Sequence, residues 1–224
     1  MDFLAVLENH LGFFERFYGA AVRPFETTMR RIEAGEEPFI LRCAPEDYDS
    51  PEYETEWNEA EECMRVLGSC ALGLLAKALH DYLREFIMRE VDNQASRLKQ
   101  YNGSWFEKYC AFLTQETAFT WLNCPVVRGQ IEQISLSRND FTHDPELGGT
   151  FPVQSDAHFR KYPVSAFADR LSLRVAMDAG VLLTGTGDPA FPAELRVARE
   201  NLTEHIEYVR QFCTFVEAQR TKWP

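Results

Sequence analysis

The chain is 224 residues long, 45% hydrophobic and 26% charged, with a formal net charge of −12 at pH 7. That length suits one domain with a sizeable core, and the acidic balance argues against loose binding to a nucleic-acid backbone. The opening Met1-Asp2-Phe3 lacks the charged start and apolar run of a signal peptide. No stretch presents the roughly 20 apolar residues of a membrane helix, so a cytoplasmic protein without membrane contact is expected.

The charge is uneven. Residues 33–62 hold twelve Asp and Glu against one basic residue, Arg42, so this stretch alone carries −11 and the rest about −1. The cations are 18 Arg and 5 Lys, without an evident basic stripe. Six cysteines, at positions 43, 63, 70, 110, 124 and 213, form no CxxC pair and no zinc-like spacing. They read as reduced and mostly buried.

In chain order, residues 2–34 predict a helix, because Phe3, Leu4, Leu7, Leu11, Phe14 and Phe17 recur at three- and four-residue steps. Pro24 is expected to kink it or to start a second helix. Residues 33–54 combine Pro38, Pro45 and Pro51 with acidic filling and read as an exposed loop. This is either a solvated linker or an arm that covers a site or binds a partner. Residues 54–92 predict the longest helix, with Met64, Leu67, Ala71, Leu74, Leu75, Ala78, Tyr82 and Phe86 as one apolar stripe. Such a stripe usually forms the spine of a bundle. His80 beside it reads as structural.

Residues 93–103 are a polar break, and Ser104 with Glu107 predicts a capping box. The helix it opens carries Trp105, Tyr109, Phe112, Leu113 and Phe119. Asn123-Cys124-Pro125 marks a turn, followed by a helix from Pro125 to about His143 that Pro145 ends. Residues 145–190 read as an insertion: loop to Pro163, a short helix from Phe167 to Leu173, and a small β-hairpin near 172–186 around Asp178-Ala179-Gly180. A last helix over 192–219 turns Leu195, Ala198, Leu202, Ile206, Val209, Phe212, Phe215 and Val216 inward. The expected fold is all-α: one multi-helix domain spanning 1–224.

Chemistry-bearing residues concentrate in Arg138-Asn139-Asp140-Phe141-Thr142-His143. Val127, Ile131, Ile134 and Phe141 make an apolar seam, and Arg138 falls on it. An unpaired buried guanidinium is costly, so it must find partners or an opening to solvent. Asn139 and His143 share another face. On an ideal helix Arg138 and His143 point roughly 140° apart. Either the helix distorts before Pro145, or two copies bring their motifs together across a two-fold axis. Asp140 and Asp144 beside His143 could suggest a metal, but such neighbouring carboxylates more often belong to a solvated helix end, and no metal or cofactor is expected.

The Arg-Asn-x3-His pattern at 138–143, closing a helix in an all-helical chain, resembles the signature of HEPN-superfamily ribonucleases. The resemblance covers the motif and the helices around it. It implies a helical bundle and a homodimer that assembles its cleft from paired domains. It also implies metal-independent endoribonuclease activity of the toxin or defence kind, with RNA as substrate and an antitoxin or regulatory protein as further partner. The catalytic residues would be Arg138, Asn139 and His143. A histidine titrating near pH 6.5 can move a proton to or from the 2′-hydroxyl or the leaving oxygen. Arginine offers a fixed fork of donors to a phosphorane, and asparagine can hold the imidazole or a phosphate oxygen. Members regulated by a nucleotidyltransferase often carry a tyrosine two residues after the histidine; Pro145 stands there, so that regulation is not expected. The alternatives are a non-catalytic HEPN-like nucleotide- or RNA-binding module, or a helical interaction domain that docks a partner on its acidic loop.

The divided motif makes assembly testable. Light scattering should give a mass near twice 25.9 kDa. A strict monomer at micromolar concentration would remove the composite-site argument.

Overall fold

The computed structural model describes residues 2–40, 52–90, 97–142, 152–169, 174 and 194–220. Of these, 74% are helical and none forms a strand, so the all-α expectation stands in its coarse form. The helices are α1 (Phe3–Glu33), α2 (Glu54–Glu90), α3 (Trp105–Glu116), α4 (Arg128–Thr142), α5 (Asp156–Lys161) and α6 (Arg199–Gln219). Residues 41–51, half of the acidic loop, and the hairpin expected at 172–186, apart from the helical Arg174, fall outside the described residues.

Asp2 starts α1 by accepting a hydrogen bond from the Ala5 N–H (3.1 Å). The helix then runs through Pro24 as one element, so no second helix begins there. Packing explains this: Leu7, Leu11, Phe14, Tyr18 and Val22 bury one continuous stripe, which outweighs one lost backbone bond. α2 lies antiparallel beside it, since Arg89 sits over the Phe3 ring (5.6 Å) while Trp57 Nε1 donates to Glu33 (3.3 Å). The buried face of α2 keeps Ala71, Leu75, Ala78, Tyr82 and Phe86 of the predicted stripe and is widened by the residues that follow them. Leu72, Leu79, Leu83 and Ile87 are fully buried, whereas Leu74 is 36% exposed. The reason is that α2 packs against α1 on one side and against α3, α4 and α6 on others.

By length and composition, Glu54–Arg89 is apolar enough to cross a membrane, contrary to the sequence expectation. A central core helix meets the same criterion, and here leucines 72, 75, 79 and 83 are sealed against protein. Replacing one by alanine would cost about 2–5 kcal/mol.

α3 opens on the predicted capping box, with Ser104 Oγ accepting from the Glu107 N–H (3.3 Å) and Glu107 accepting from the Ser104 N–H (2.8 Å). It stops at Glu116, short of Phe119, which is nevertheless buried by ring contacts with Trp121, Phe212 and Phe215. α6 begins at Arg199 rather than 192, because residues 194–198 are extended. Leu195 N–H donates to Pro152 O (2.8 Å), Arg196 N–H to Phe167 O (2.7 Å), and Asp169 N–H to Glu194 O (2.7 Å). Gly68 on α2 makes room for this segment, since a Cβ there would lie 2.8 Å from Val197. Tyr18 clasps it from α1, its hydroxyl donating to Val197 O (2.7 Å).

In the sequence, residues 152–169 read as part of an insertion, loop to Pro163 and the start of a short helix at Phe167. They instead contribute to the core, with Phe167 and His158 fully buried. The described residues of this region form α5, while Phe167, Ala168 and Asp169 are non-helical and pair with 194–196; positions 170–173 of the short helix expected from Phe167 to Leu173 lie outside the described residues. Of the five described cysteines, all free, only Cys110 and Cys213 are buried and Cys70 is exposed. That is fewer than expected, because Cys63 and Cys70 sit on the outer faces of α2.

Lys161 of α5 ties two helices together. It donates to Glu107 of α3 (2.8 Å) and to the buried Glu132 of α4. The Lys161 bond, followed by the Ser104 N–H, holds the Glu107 carboxyl well below its ordinary 4.5, at about 2. A depressed acid stabilises the fold above its unfolded pKa, and that contribution is lost as pH falls through the folded value. Glu107→Gln keeps the cap and removes the charge. It should be less stable than the parent in urea at pH 7, with the difference closing between pH 4.5 and about 2. A gap that persists at acid pH would assign the effect to packing.

Candidate functional site

The motif sits on α4, which is gripped on two opposite faces. Its start is local: Gln130 Oε1 reaches back to accept from the Val127 N–H (3.0 Å), the reciprocal half of a capping box. Helix therefore begins at Arg128, not Pro125, and Val127 is 70% exposed instead of lying on the seam. Ile131 and Ile134 are buried as expected, with Phe141 partly buried against the core.

The other face is polar and also covered. Gly129, Glu132, Gln133, Ser137 and Asp140 meet residues 154–168. The Tyr162 hydroxyl donates to Glu132 (2.8 Å), and the Ala166 N–H donates to Gln133 Oε1 (2.6 Å). Ser137 and Ser165 hydroxyls lie 3.4 Å apart. Gly129 is required by close approach, since a Cβ would stand 2.9 Å from the Tyr162 ring. Burial, then the bond to Glu132, pushes the Tyr162 hydroxyl up to about 12, so it remains a donor across the ordinary pH range.

Arg138 is half-buried on the last turn of α4. Its Nη1 donates to Asn139 Oδ1 (2.9 Å), and Thr142 Oγ1 donates to the Arg138 carbonyl (2.7 Å). Asn139 thus spends its carbonyl on orienting the guanidinium. Among the described residues no carboxylate forms an ion pair with Arg138. His143 and Asp144 lie outside the described residues, as does Pro145; α4 is followed to Thr142, immediately before the histidine.

Asp140 corrects the sequence reading. It is not a solvated helix-end carboxylate: its side chain is 5% exposed, and Oδ2 lies 2.6 Å from Nδ1 of the fully buried His158. A carboxylate only accepts, so Nδ1 carries the proton of this bond, and Nε2 is buried with no hydrogen-bond partner among the described residues. The sequence concealed this pair because 18 residues and a loop separate its members. The one local signal was Ser155, which caps α5 and accepts from the His158 N–H (3.4 Å). Among the described residues no group of three His, Cys, Asp or Glu is placed to hold a metal ion.

Two other histidines are accounted for by packing. His80 stands edge-on to Trp105 (5.1 Å) and Tyr109 (5.5 Å). His205 is buried beside Phe167 (4.4 Å), with Nδ1 2.7 Å from the Asn201 carbonyl, and burial lowers its pKa. Comparison of the sequence with known protein families, with curated proteins and with solved structures finds no match.

The Asp140–His158 pair makes a clear energetic demand. Removing one member of a buried pair strands the other, at a cost of about 3–5 kcal/mol. Asp140→Ala should show that loss in urea unfolding. Asp140→Leu combined with His158→Leu should lose less than the two single changes added together, because no polar group is left stranded. Additive losses would deny the coupling.

Proposed function

We propose that this protein is a metal-independent endoribonuclease of the HEPN type, acting as a homodimer with Arg138 and His143 at its cleft. The observation that carries the reading is Arg138. It is half-buried, aimed by Asn139 at 2.9 Å, and paired with no carboxylate among the described residues. A guanidinium that the fold orients but does not neutralise is suited to an anionic oxygen that arrives from outside. The helix beneath it is fixed on both faces, which supports a precise site.

In this reading the 2′-hydroxyl of RNA attacks the adjacent phosphorus and loses its proton to a base. The P–O5′ bond breaks, the 5′-oxygen takes up a proton, and a 2′,3′-cyclic phosphate remains. His143 moves the protons and Arg138 offsets the charge that builds on the non-bridging oxygens. The nucleophile belongs to the substrate, so DNA is not cut. Asn139 acts through Arg138. An antitoxin or regulatory protein would act by covering this cleft.

His143→Ala and Arg138→Ala should each lower single-turnover RNA cleavage by roughly 10²-fold or more. The double variant should be little worse than either, as for groups acting together, and Asn139→Ala should lose less. Cleavage should persist in chelator, leave a cyclic phosphate, and stop when the 2′-hydroxyl at the cut is replaced by hydrogen. Chelator-sensitive cutting would replace this reading by a metal nuclease. RNA binding that depends on Arg138 without any cleavage would make the protein a non-catalytic binding module.

A further inference from the structure

We infer that the cleft between α1 and the first turn of α6 binds a phosphate dianion, either free or as the phosphate of a small monoester. The cleft encloses about 500 Å³, within the range of small-molecule sites. Arg16 and Arg23, two helical turns apart on α1, form one wall and Arg199 of α6 the other. Between the two α1 arginines the wall is low, being made of Gly19 and Ala20.

The charge pattern singles this place out. The chain carries −12 overall, and its arginines commonly hold carboxylates: Arg30, Arg65, Arg84, Arg97, Arg196, Arg210 and Arg220 all do so. Among the described residues Arg16, Arg23 and Arg199 form no ion pair. Glu15 is the one carboxylate that lines the cleft, so the lining carries +2, which matches a dianion.

Arg199 is positioned in advance. Its Nη2 donates to the Gly19 carbonyl (2.8 Å), and a Cβ on residue 19 would stand 2.6 Å from that nitrogen. Glycine is therefore what lets the guanidinium lie across the helix. A guanidinium has five N–H donors, so donors remain for a ligand. Thr203 adds a hydroxyl at the rim. Tyr18 is already committed to Val197 O. Planar guanidinium forks suit phosphate oxygens, and bonds with charge on both sides are the strong ones.

This site lies on other elements than the Arg138 motif. Its test reads binding rather than RNA cleavage, so either proposal can fail alone. Calorimetry on the whole chain at low salt uses inorganic phosphate, AMP and adenosine as probes. Phosphate and AMP should bind one per chain and compete, while adenosine should not bind. AMP tighter than phosphate would name a monoester as occupant, and equal affinities would name phosphate itself. Arg16→Gln and Arg23→Gln, both at exposed positions, should each weaken binding about tenfold, the worth of one charge-assisted bond, without shifting the melting temperature. Gly19→Ala should weaken it by displacing Arg199, and Glu15→Gln should tighten it. The inference is overturned if neither phosphate nor AMP binds saturably up to roughly 10 mM, if adenosine binds as well as AMP, or if the arginine variants bind unchanged.

Discussion

Two carboxylates buried on α4 constrain the structure around the motif. Glu132 is 2% exposed and the Asp140 side chain 5%. A buried charge must be paired and hydrogen-bonded or the fold bears a cost of several kcal/mol. Both partners come from α5, a helix of six residues: His158 meets Asp140, and Lys161 meets Glu132. They stand three apart on that helix, hence on one face. This demand draws residues 152–169 onto the bundle and turns a stretch that reads as loop into part of the core.

The consequence reaches the motif. α4 is held by apolar packing through Ile131 and Ile134 and by polar bonds through Glu132, Gln133 and Asp140 on the opposite face. A helix clamped in this way has little freedom to rotate, so the direction of Arg138 on its last turn is fixed by residues on the two packed faces of α4. The position of Asp140, between Arg138 and His143 in sequence, couples the stability of the fold to the geometry of the proposed cleft.

Charge is distributed to similar effect. An acidic chain spends many of its arginines on carboxylates, often at exposed surfaces where each pair contributes at most about 1 kcal/mol. The guanidinium groups without a carboxylate partner among the described residues stand out against that background. Arg138 is steered by Asn139 and Arg199 by the Gly19 carbonyl. Neutral oxygens orient a cation without cancelling it, and oriented, uncancelled cations are what phosphate recognition requires.

Much of the helical framework is legible in the sequence because it is local. The Ser104–Glu107 box, the stripe of α1 as far as Phe14 and the length of α2 depend on residues three or four apart, though Tyr18 and not the expected Phe17 continues the α1 stripe. The Arg-Asn-x3-His spacing is equally local. Its weight as a candidate site came from residue types and a resemblance, and the fold adds how Arg138 is oriented. What the sequence did not disclose is contact between distant segments. The extended path of 194–198 follows from backbone bonds to 152 and 167, and the wide buried face of α2 from neighbours on several sides. The Asp140–His158 pair and the convergence of Arg16 and Arg23 with Arg199 join residues 18 to 183 positions apart, for which periodicity carries no signal. By itself the sequence determined the long helices and where its chemistry-bearing residues lie along them, but not the short α5 or the extended start of the last segment. Tertiary structure decided which charges are buried, paired or left open, because burial depends on neighbours brought together only by folding.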